Sequence, residues 1–334
     1  MNSTRYPNVL VLLNGQSLPS IVDIEITSNS HFAANRFRVR AAIDKTRYDT
    51  WASGSLVVEI RVAVSGSWGS LIYGDVDRLD FDVGRGEVCI DGRDLTSRFI
   101  EARTGESFEN HTASEIATVL ALRRSLVPAI TPSSIIIGRS YKNDRSRTTL
   151  VQHARWTTEW DLLVQLADSL GFDIWVDNQT LNFTPPNQRP NSLSLAPNDC
   201  LSINLHRLIN LESGLNVTVK SWDCRGQRSV VQTATTASGF GPLKDYLIVR
   251  PNLSDDDAQM VAQRLLSQMC QHKRTVSIEM PGDTTTRPRD LLRLTDTNTD
   301  FDGVWTITDL HRRISVEHGF TQTIEARAPA WTIF

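Results

Sequence analysis

The sequence has no long hydrophobic run and no excess of charge, and each absence excludes a class of protein. No apolar stretch reaches the roughly 20 residues that a membrane-spanning helix needs, so no membrane segment is expected. The 35 Lys and Arg residues are nearly balanced by 38 Asp and Glu residues, without any long block of like charge. Tight electrostatic binding of nucleic acid requires a clustered cationic face and is therefore not expected.

The sequence is also poor in cysteine. Cys89, Cys200, Cys224 and Cys270 show none of the short spacings that are typical of a zinc site or a disulfide framework, and we predict buried free thiols. The first residues lack a basic segment followed by a long apolar core. A signal peptide is therefore not expected, and the chain is expected to stay in the cytoplasm where it is made.

Motifs for catalysis and cofactor binding are missing as well. Gly84-Arg85-Gly86 lies between two predicted strands, where no helix N-terminus is available to hold a phosphate. No two of the seven histidines are spaced to share one helical face, and no serine nucleophile elbow occurs. The sequence thus predicts no catalytic residue, no metal and no cofactor, and a protein that is not an enzyme.

Four aspartates between positions 75 and 82 are the strongest argument for an enzyme, because paired carboxylates can act as acid and base. Asp80 and Asp82, however, alternate with Leu79 and Phe81, which places the carboxylates on the face opposite the core. The pattern favours a solvated strand face over a catalytic pair.

What the sequence does contain is an alternation of polar and apolar residues that occurs twice, far apart. One instance covers residues 74–90 around a turn with Gly84 and Gly86, and the other covers residues 304–324 around His318-Gly319. Alternation interrupted by a glycine-containing turn is typical of half-buried antiparallel strands. Two such units suggest a duplicated building block, which more often builds architecture than a reaction centre.

The other patterns predict several short strands in the first third of the chain, as in a barrel or sandwich. Helices are predicted near 113–127 and 158–170, with a hairpin near 172–184. A third helix is predicted near 254–273 because Ser254 can cap it and three aspartates follow. Residues 186–197, rich in proline and asparagine, are the best linker candidate.

The order of these parts resembles that of the phage late control protein D family, which are tail baseplate hub proteins related to the hub part of VgrG. The resemblance rests on short segments that occur in the family's order along most of the chain. They are GDVD (74–77), IDGRDL (90–95), WDLL (160–163), GFDI (171–174), LNFTP (181–185), the helix 254–273, RPRDL (287–291) and DGVWTI (302–307).

The resemblance implies an α+β, mainly β fold in which two barrel-like antiparallel β domains flank smaller α/β insertion domains. The expected domains are a first tube-forming barrel-like domain at 1–100, an α/β insertion at 101–190 and a second barrel-like domain at 191–334. The insertion would contain the helices near 113–127 and 158–170 and the hairpin, and the second barrel the helix near 254–273.

The resemblance also implies a structural protein of a phage tail or tail-like particle. Three copies are expected to form a pseudo-six-fold ring that joins the tail tube to the central spike and lets DNA pass without specific binding. The expected partners are two further copies in a homotrimer, the spike or needle protein, the tail tube or tail-initiator protein, the tape measure protein and other baseplate proteins. The expected location is the virion, after assembly in the cytoplasm of the host bacterium. Because the sequence ends at Phe334, soon after the last predicted strand, a separate spike protein is expected to supply the tip.

Five charged residues are predicted to lie at the subunit contact. Alternation places Arg36, Arg38 and Arg40 on the non-core face of one strand. We expect them to pair with carboxylates such as Glu59, beside Arg61, on a neighbouring subunit rather than to line the bore.

Two other functions are consistent with the sequence. Eight tryptophans are many for this length, and aromatic side chains on a β surface can stack on sugars, so a carbohydrate-binding or carbohydrate-active β protein is one alternative. Trp175 is the contact candidate, although burial between domains or subunits is favoured for it. A hub component of a type VI secretion-like spike is the other alternative.

Overall fold

The computed structural model describes residues 7–64, 66–104, 106, 108, 110–134, 136–137, 157–186, 191–209, 214–223, 226–236, 243–250 and 253–329. The predicted thiol Cys224 lies outside these residues.

The first part of the chain forms seven strands and one short helix around a common core. These are β1 (Asn8–Leu13), β2 (Gln16–Ser17), β3 (Ile21–Asn29), β4 (Arg36–Ala42), α1 (Lys45–Trp51), β5 (Val57–Val64), β6 (Ser67–Asp82) and β7 (Glu87–Asp94). In β4 the apolar residues are buried and the arginines between them are exposed or half-buried, as the period of two requires.

A first α/β unit, which we call the first insertion (residues 95–186), follows and has its own core. Its elements are α2 (Ser97–Ile100), β8 (Arg103–Thr104), β9 (His111–Thr112), α3 (Ala113–Arg123), β10 (Val127–Ile130), β11 (Ile136–Ile137), β12 (Thr157–Thr158), α4 (Glu159–Leu170), β13 (Asp173–Asp177) and β14 (Thr180–Thr184). Capping boxes open both longer helices, with Thr112 and Glu115 at α3 and Thr158 and Asp161 at α4. The predicted helices are confirmed, but α3 ends at Arg123 because the residues from Val127 onward form strand β10.

The last part of the chain is again mainly β. Its elements are β15 (Ser192–Leu195), a short 3-10 helix (Pro197–Asp199), β16 (Ser202–Arg207), β17 (Leu215–Asp223), β18 (Arg228–Thr235), β19 (Lys244–Val249), α5 (Asp255–Cys270), β20 (Arg274–Pro281), β21 (Leu291–Leu294), β22 (Gly303–Ser315) and β23 (Gly319–Arg327). The linker prediction is wrong over residues 192–195, because this segment is strand β15 and pairs in parallel with β21.

The predicted second barrel at 191–334 contains two cores in the structure. Strands β15 and β20–β23 surround one of them. Strands β17–β19 form a separate three-stranded sheet, and α5 packs on it to make the other core. We call this unit the second insertion (residues 208–273). The domain boundaries expected from the sequence stay a prediction.

One 13-stranded sheet joins the first and last parts of the chain. Its order is β16-β20-β23-β22-β3-β4-β7-β6-β5-β1-β2, with β21 and β15 continuing from β22. The junction is an antiparallel pairing of β3 with β22, from Asn29 beside Asp309 to Asp23 beside Ser315. We call residues 7–94 the first half, and residues 191–207 with 274–329 the second half. The two barrel-like halves therefore share one continuous hydrogen-bonded sheet rather than meeting through side chains alone.

The register places the β6–β7 and β22–β23 hairpins, which contain the repeated alternation of polar and apolar residues, at the same end of this sheet. Asp82 and Glu87, which flank the β6–β7 turn, lie at the Ala42 end of β4. Ser315, before the β22–β23 turn, lies beside Asp23 near the same end of β3. We call this end the turn rim.

Both insertions lie at the opposite end, which we call the insertion rim. The first insertion begins after Asp94, where β7 runs past the start of β4. The second insertion leaves the sheet after Arg207 and returns at Arg274, which pair with each other across β16 and β20. The end of β23 farthest from its turn, Arg327, pairs with Thr275 at this level.

Candidate interaction surfaces

The exposed face of the central sheet carries charged residues that pair with one another. Arg38 Nε donates to Asp91 at 2.7 Å. Arg40 donates to Asp23 at 2.8 Å and lies 3.5 Å from Glu87. These intrachain pairs hold the pKa of both guanidinium groups above its usual value through the carboxylate hydrogen bonds.

The predicted contact residues do not all meet within the chain. Arg36 lies opposite Arg93 on β7 and has no ion-pair partner among the described residues. Glu59 and Arg61 lie on β5, which β7 and β6 separate from β4, and Arg61 donates to both Glu59 oxygens at 2.7 and 2.8 Å. A contact of Arg36, Arg38 and Arg40 with Glu59 of another subunit stays a prediction.

The aspartates between positions 75 and 82 belong to the same charged face. Asp75 accepts two hydrogen bonds from Arg98, at 2.7 and 2.8 Å. Arg93 donates to both oxygens of Asp77, at 2.6 and 2.7 Å. Asp80 pairs with Arg78 at 2.8 Å. Each carboxylate thus has an arginine partner, and the arrangement is a ladder of surface ion pairs rather than an acid/base pair in a cleft.

A cavity of about 510 Å³ lies at the insertion rim, between the first half, both insertions and the second half. On one side the Arg289 guanidinium lies 5.2 Å from the centre of the Trp175 ring. It also donates to the carbonyls of Ser30 and Ile174 at 3.1 and 3.2 Å. Trp175 lies between the first insertion and the second half, as the favoured prediction expects, but it is half-buried rather than buried.

Two histidines meet on another side of this cavity. Arg327 donates to His272 Nε2 at 3.2 Å and to the ring of His31 at 2.9 Å, and His31 Nε2 lies 3.1 Å from Asp309. Burial, followed by the charge of Arg327, lowers the pKa of His272. No spacing in the sequence indicated this cluster, because its members come from the β3–β4 loop, the end of α5 and the β22–β23 hairpin.

A fully buried arginine lies at the boundary between the two barrel-like halves. Arg312 donates to the carbonyls of Asp283 and Thr286 and to the side-chain oxygen of Gln322. Burial lowers the pKa of Arg312 to about 9. The loop after β20 is attached to β6 as well, because Arg287 donates to the carbonyl of Ser70 at 3.0 Å. Through these hydrogen bonds Arg312 holds the loop after β20 at the junction of the two halves.

The three cysteines in the described part of the chain have free thiols, as predicted, but only one of them is buried as the prediction also required. Cys270 is buried, whereas Cys89 and Cys200 are half-buried. Burial raises the pKa of the Cys200 thiol to about 11, which makes it a poor nucleophile at neutral pH. Within the described part of the chain no group of acidic residues, histidines and cysteines could hold a metal ion. No helix there is long and apolar enough to cross a membrane.

Solved structures with the same fold include tail proteins and a component of a type VI secretion system. A tail protein from Neisseria meningitidis MC58 matches with a TM-score of 0.70 at 15% identity, over 96% of each chain. The 43 kDa tail protein of prophage MuSo2 from Shewanella oneidensis matches with a TM-score of 0.70 at 14% identity, over 98% of this chain and 100% of that chain. An E. coli component of the type VI secretion system matches with a TM-score of 0.58 at 10% identity, over 96% of this chain and 76% of that chain.

No protein-family model matches the sequence, and no curated protein matches it. The structural similarity nevertheless covers nearly the whole chain. The chain therefore has the fold of tail proteins, and the resemblance to a baseplate hub is confirmed at the level of the fold. The predicted class, α+β and mainly β, is confirmed as well.

Proposed function

We propose that this chain is a structural hub protein of a phage tail baseplate, or of a related tail-like particle, and not an enzyme. Three copies form a ring of pseudo-six-fold symmetry that joins the tail tube to the central spike. Similarity of fold to tail proteins supports a structural role in the tail. The trimer, the ring and the passage of DNA go beyond this similarity and are part of the proposal.

The observation that carries the proposal is the presence of two matching hairpins at one rim. In each, the last residue of the strand hydrogen-bonds to the turn through its side chain, Asp82 in one and Ser315 in the other. The next residue is an exposed valine, Val83 at 73% and Val316 at 75% exposure. Each turn ends at a glycine with positive φ. A trimer would present six such tips on one face, which suits a six-fold partner.

The charged face of the sheet suits the wall of a channel for DNA. A wall with free lysines and arginines would bind phosphates and hold the DNA. Here Arg38, Arg40 and Arg93 are already paired with carboxylates of neighbouring strands. We assign this face to the bore rather than to the subunit contact that the sequence predicted for Arg38 and Arg40, and DNA then crosses it without being retained.

Electron microscopy of the purified chain tests the proposal. Class averages should show rings of three copies with six similar wall elements around an open channel. A monomer that binds oligosaccharides on a glycan array would instead support the carbohydrate-binding alternative. For that alternative, the cavity at the insertion rim offers Trp175 as a ring on which a sugar could stack. The Arg289 guanidinium, however, already lies over this ring.

A hub of a type VI secretion-like spike is the second candidate, because a component of that system shares the fold. Such a hub would use the same ring but would lack a DNA-filled tube. Co-purification with packaged DNA from particles separates the two candidates.

A further inference from the structure

The sheet of the second insertion has one face that nothing in the described chain covers. Helix α5 packs on the other face, through Val217, Val219 and their neighbours. The register brings four apolar side chains together on the open face, in adjacent rows. They are Trp222, Val231, Leu247 and Val249, with exposures of 54%, 49%, 59% and 72%.

The polar residues of this face are mostly satisfied by one another. Asn216 donates to Asp245 at 2.6 Å and accepts from Thr235 at 2.7 Å, and the hydroxyls of Thr218 and Thr233 are 3.1 Å apart. In the next row Lys220 lies between Val249 and Val231, and it has no ion-pair partner among the described residues. The open face thus has a polar part that includes Asp245 and an apolar part in which Lys220 lies between valines.

The first insertion has a smaller exposed apolar stripe of opposite charge on helix α3. Val119 and Leu122 are 41% and 61% exposed, on the side of the helix away from its buried residues. Glu115 precedes them at a spacing of four residues, so its carboxylate extends the same stripe. Val127, at the start of edge strand β10, is also 61% exposed.

Within one chain these two surfaces face away from each other. Arg264 on α5 contacts Asp168 at the end of α4, so α5 lies between the first insertion and the open face. Strand β13 is the edge of its sheet that borders α5, because Asp173 lines the cavity together with Gln268 and Gln271. Strand β10 is the opposite edge of that sheet, and α3 packs beside it.

We propose that the open face of the second insertion in one copy packs on the α3 stripe of the next copy, with Lys220 beside Glu115. This contact rests on the proposed trimer and identifies where its subunits meet. It is heterologous, since it joins two different surfaces, and three such contacts close a ring.

A second copy fits better than another occupant because each chain carries both halves of the contact. One half has a central lysine and the other a glutamate, so the charges are complementary. Four exposed apolar side chains supply on the order of half of the ~800 Å² that each partner buries in a stable interface. The polar residues around them on the open face supply the rest of that partner's area, and the α3 stripe with its surroundings supplies the area on the neighbouring copy.

Sedimentation velocity and native mass spectrometry of four single variants test the contact. Val249→Asp and Leu122→Asp are expected to weaken the trimer about 100-fold or more, because each places a charge in an apolar contact. Val316→Asp is the matched control, since it changes an equally exposed valine at the turn rim, and it should leave the trimer intact. Lys220→Glu should weaken the trimer at least tenfold, because it places a carboxylate beside that of Glu115.

Mixing the two disruptive variants distinguishes this contact from other modes of assembly. Each variant keeps one intact surface, so a mixture of Val249→Asp and Leu122→Asp should form 1:1 heterodimers, although neither associates alone. If Val249→Asp and Leu122→Asp both form trimers as stable as those of wild type, the contact is overturned while the proposed ring remains. A wild-type chain that stays monomeric at all concentrations would overturn both.

Discussion

The β6–β7 and β22–β23 hairpins have the same local structure but different surroundings. Both have a side-chain-capped turn, an exposed valine and a glycine at the end of the turn. The β6–β7 hairpin contributes its apolar residues to the core of the first half. The β22–β23 hairpin is shared, because Ile314 and Phe320 belong to that same core, whereas Leu310 and Ile324 belong to the core of the second half.

The difference shows how one hairpin can connect two cores. Arg312 and Gln322 are paired across the strands, between the apolar pairs that belong to the two cores, and both are almost fully buried. This polar pair separates the two apolar regions, and its Arg312 donates hydrogen bonds to the loop after β20 while Gln322 accepts one from Arg312. The β6–β7 hairpin has no such buried polar pair along its described length, and its buried apolar residues belong to the core of the first half.

The largest effect is expected from removing the arginine at this crossing. Arg312→Ala leaves the carbonyls of Asp283 and Thr286 without their donor and should lower the free energy of unfolding by about 3–5 kcal/mol. Urea denaturation followed by circular dichroism measures this loss. Arg313→Ala is the neighbouring control, and it should cost less than about 1 kcal/mol because Arg313 is only half-buried and lies 3.5 Å from Asp23. Equal losses in the two variants would contradict the role of Arg312.

A second comparison concerns the ends of the hairpins at the insertion rim, where Asp94 is buried and Arg327 is half-buried. Burial raises the pKa of Asp94 to about 6 and lowers the pKa of Arg327. The folded state therefore binds a proton at Asp94 more tightly than the unfolded state does, where the pKa is about 3.9. This contribution to stability is complete below about pH 4 and is lost as the pH rises through 6.

The variant Asp94→Asn, which mimics the protonated acid, should consequently be more stable than wild type at pH 8, by about 1–3 kcal/mol, and similar to it at about pH 3. Urea denaturation at the two pH values measures the difference. A difference that does not change with pH would show that Asp94 titrates normally in the folded protein.

Arg36 tests the charged contact expected from the sequence. Because it is exposed and lies opposite Arg93, Arg36→Glu should change the free energy of unfolding by less than about 0.5 kcal/mol. If the residue pairs with a carboxylate of another subunit, the trimer should weaken at least tenfold in sedimentation velocity. Arg47→Glu on the exposed helix α1 serves as control. A trimer that is unchanged by Arg36→Glu would refute this contact.

The smallest effect on stability is expected at the tips that make the two hairpins alike. Val83→Asp combined with Val316→Asp should leave both the fold and the trimer unchanged, because the two side chains are mostly exposed. In cells that produce complete particles, electron microscopy should show rings without an attached tube. The single variants should each give a weaker defect. Normal tails from the double variant would show that the turn rim does not attach the tube.

The sequence predicted the local structure of the hairpins well, because alternation and turn glycines are properties of neighbouring residues. The three helices followed from their capping residues for the same reason. The strand at 192–195 was missed because its support comes from parallel pairing with β21, almost a hundred residues later. The separate core of the second insertion was also missed, since α5 has the same apolar stripe whether it covers a barrel or a small sheet.

The surfaces could be predicted only in part. Alternation correctly placed Arg36, Arg38 and Arg40 on the outer face of β4, but it could not show that Asp23 and Asp91 on the flanking strands pair with two of them. Trp175 was correctly expected between domains, although its arginine partner comes from a loop more than a hundred residues away. Residues such as Arg312 and His31 carried no local signal, because their environment is made entirely by distant parts of the chain.

Cryo-electron microscopy of the purified chain tests the central claim most directly. The account predicts a three-fold ring in which the two halves of each subunit occupy similar positions, 60° apart, around an open channel lined by the charged face of the sheet. A ring in which only one half of each subunit lines the channel, or a particle without a channel, would contradict it.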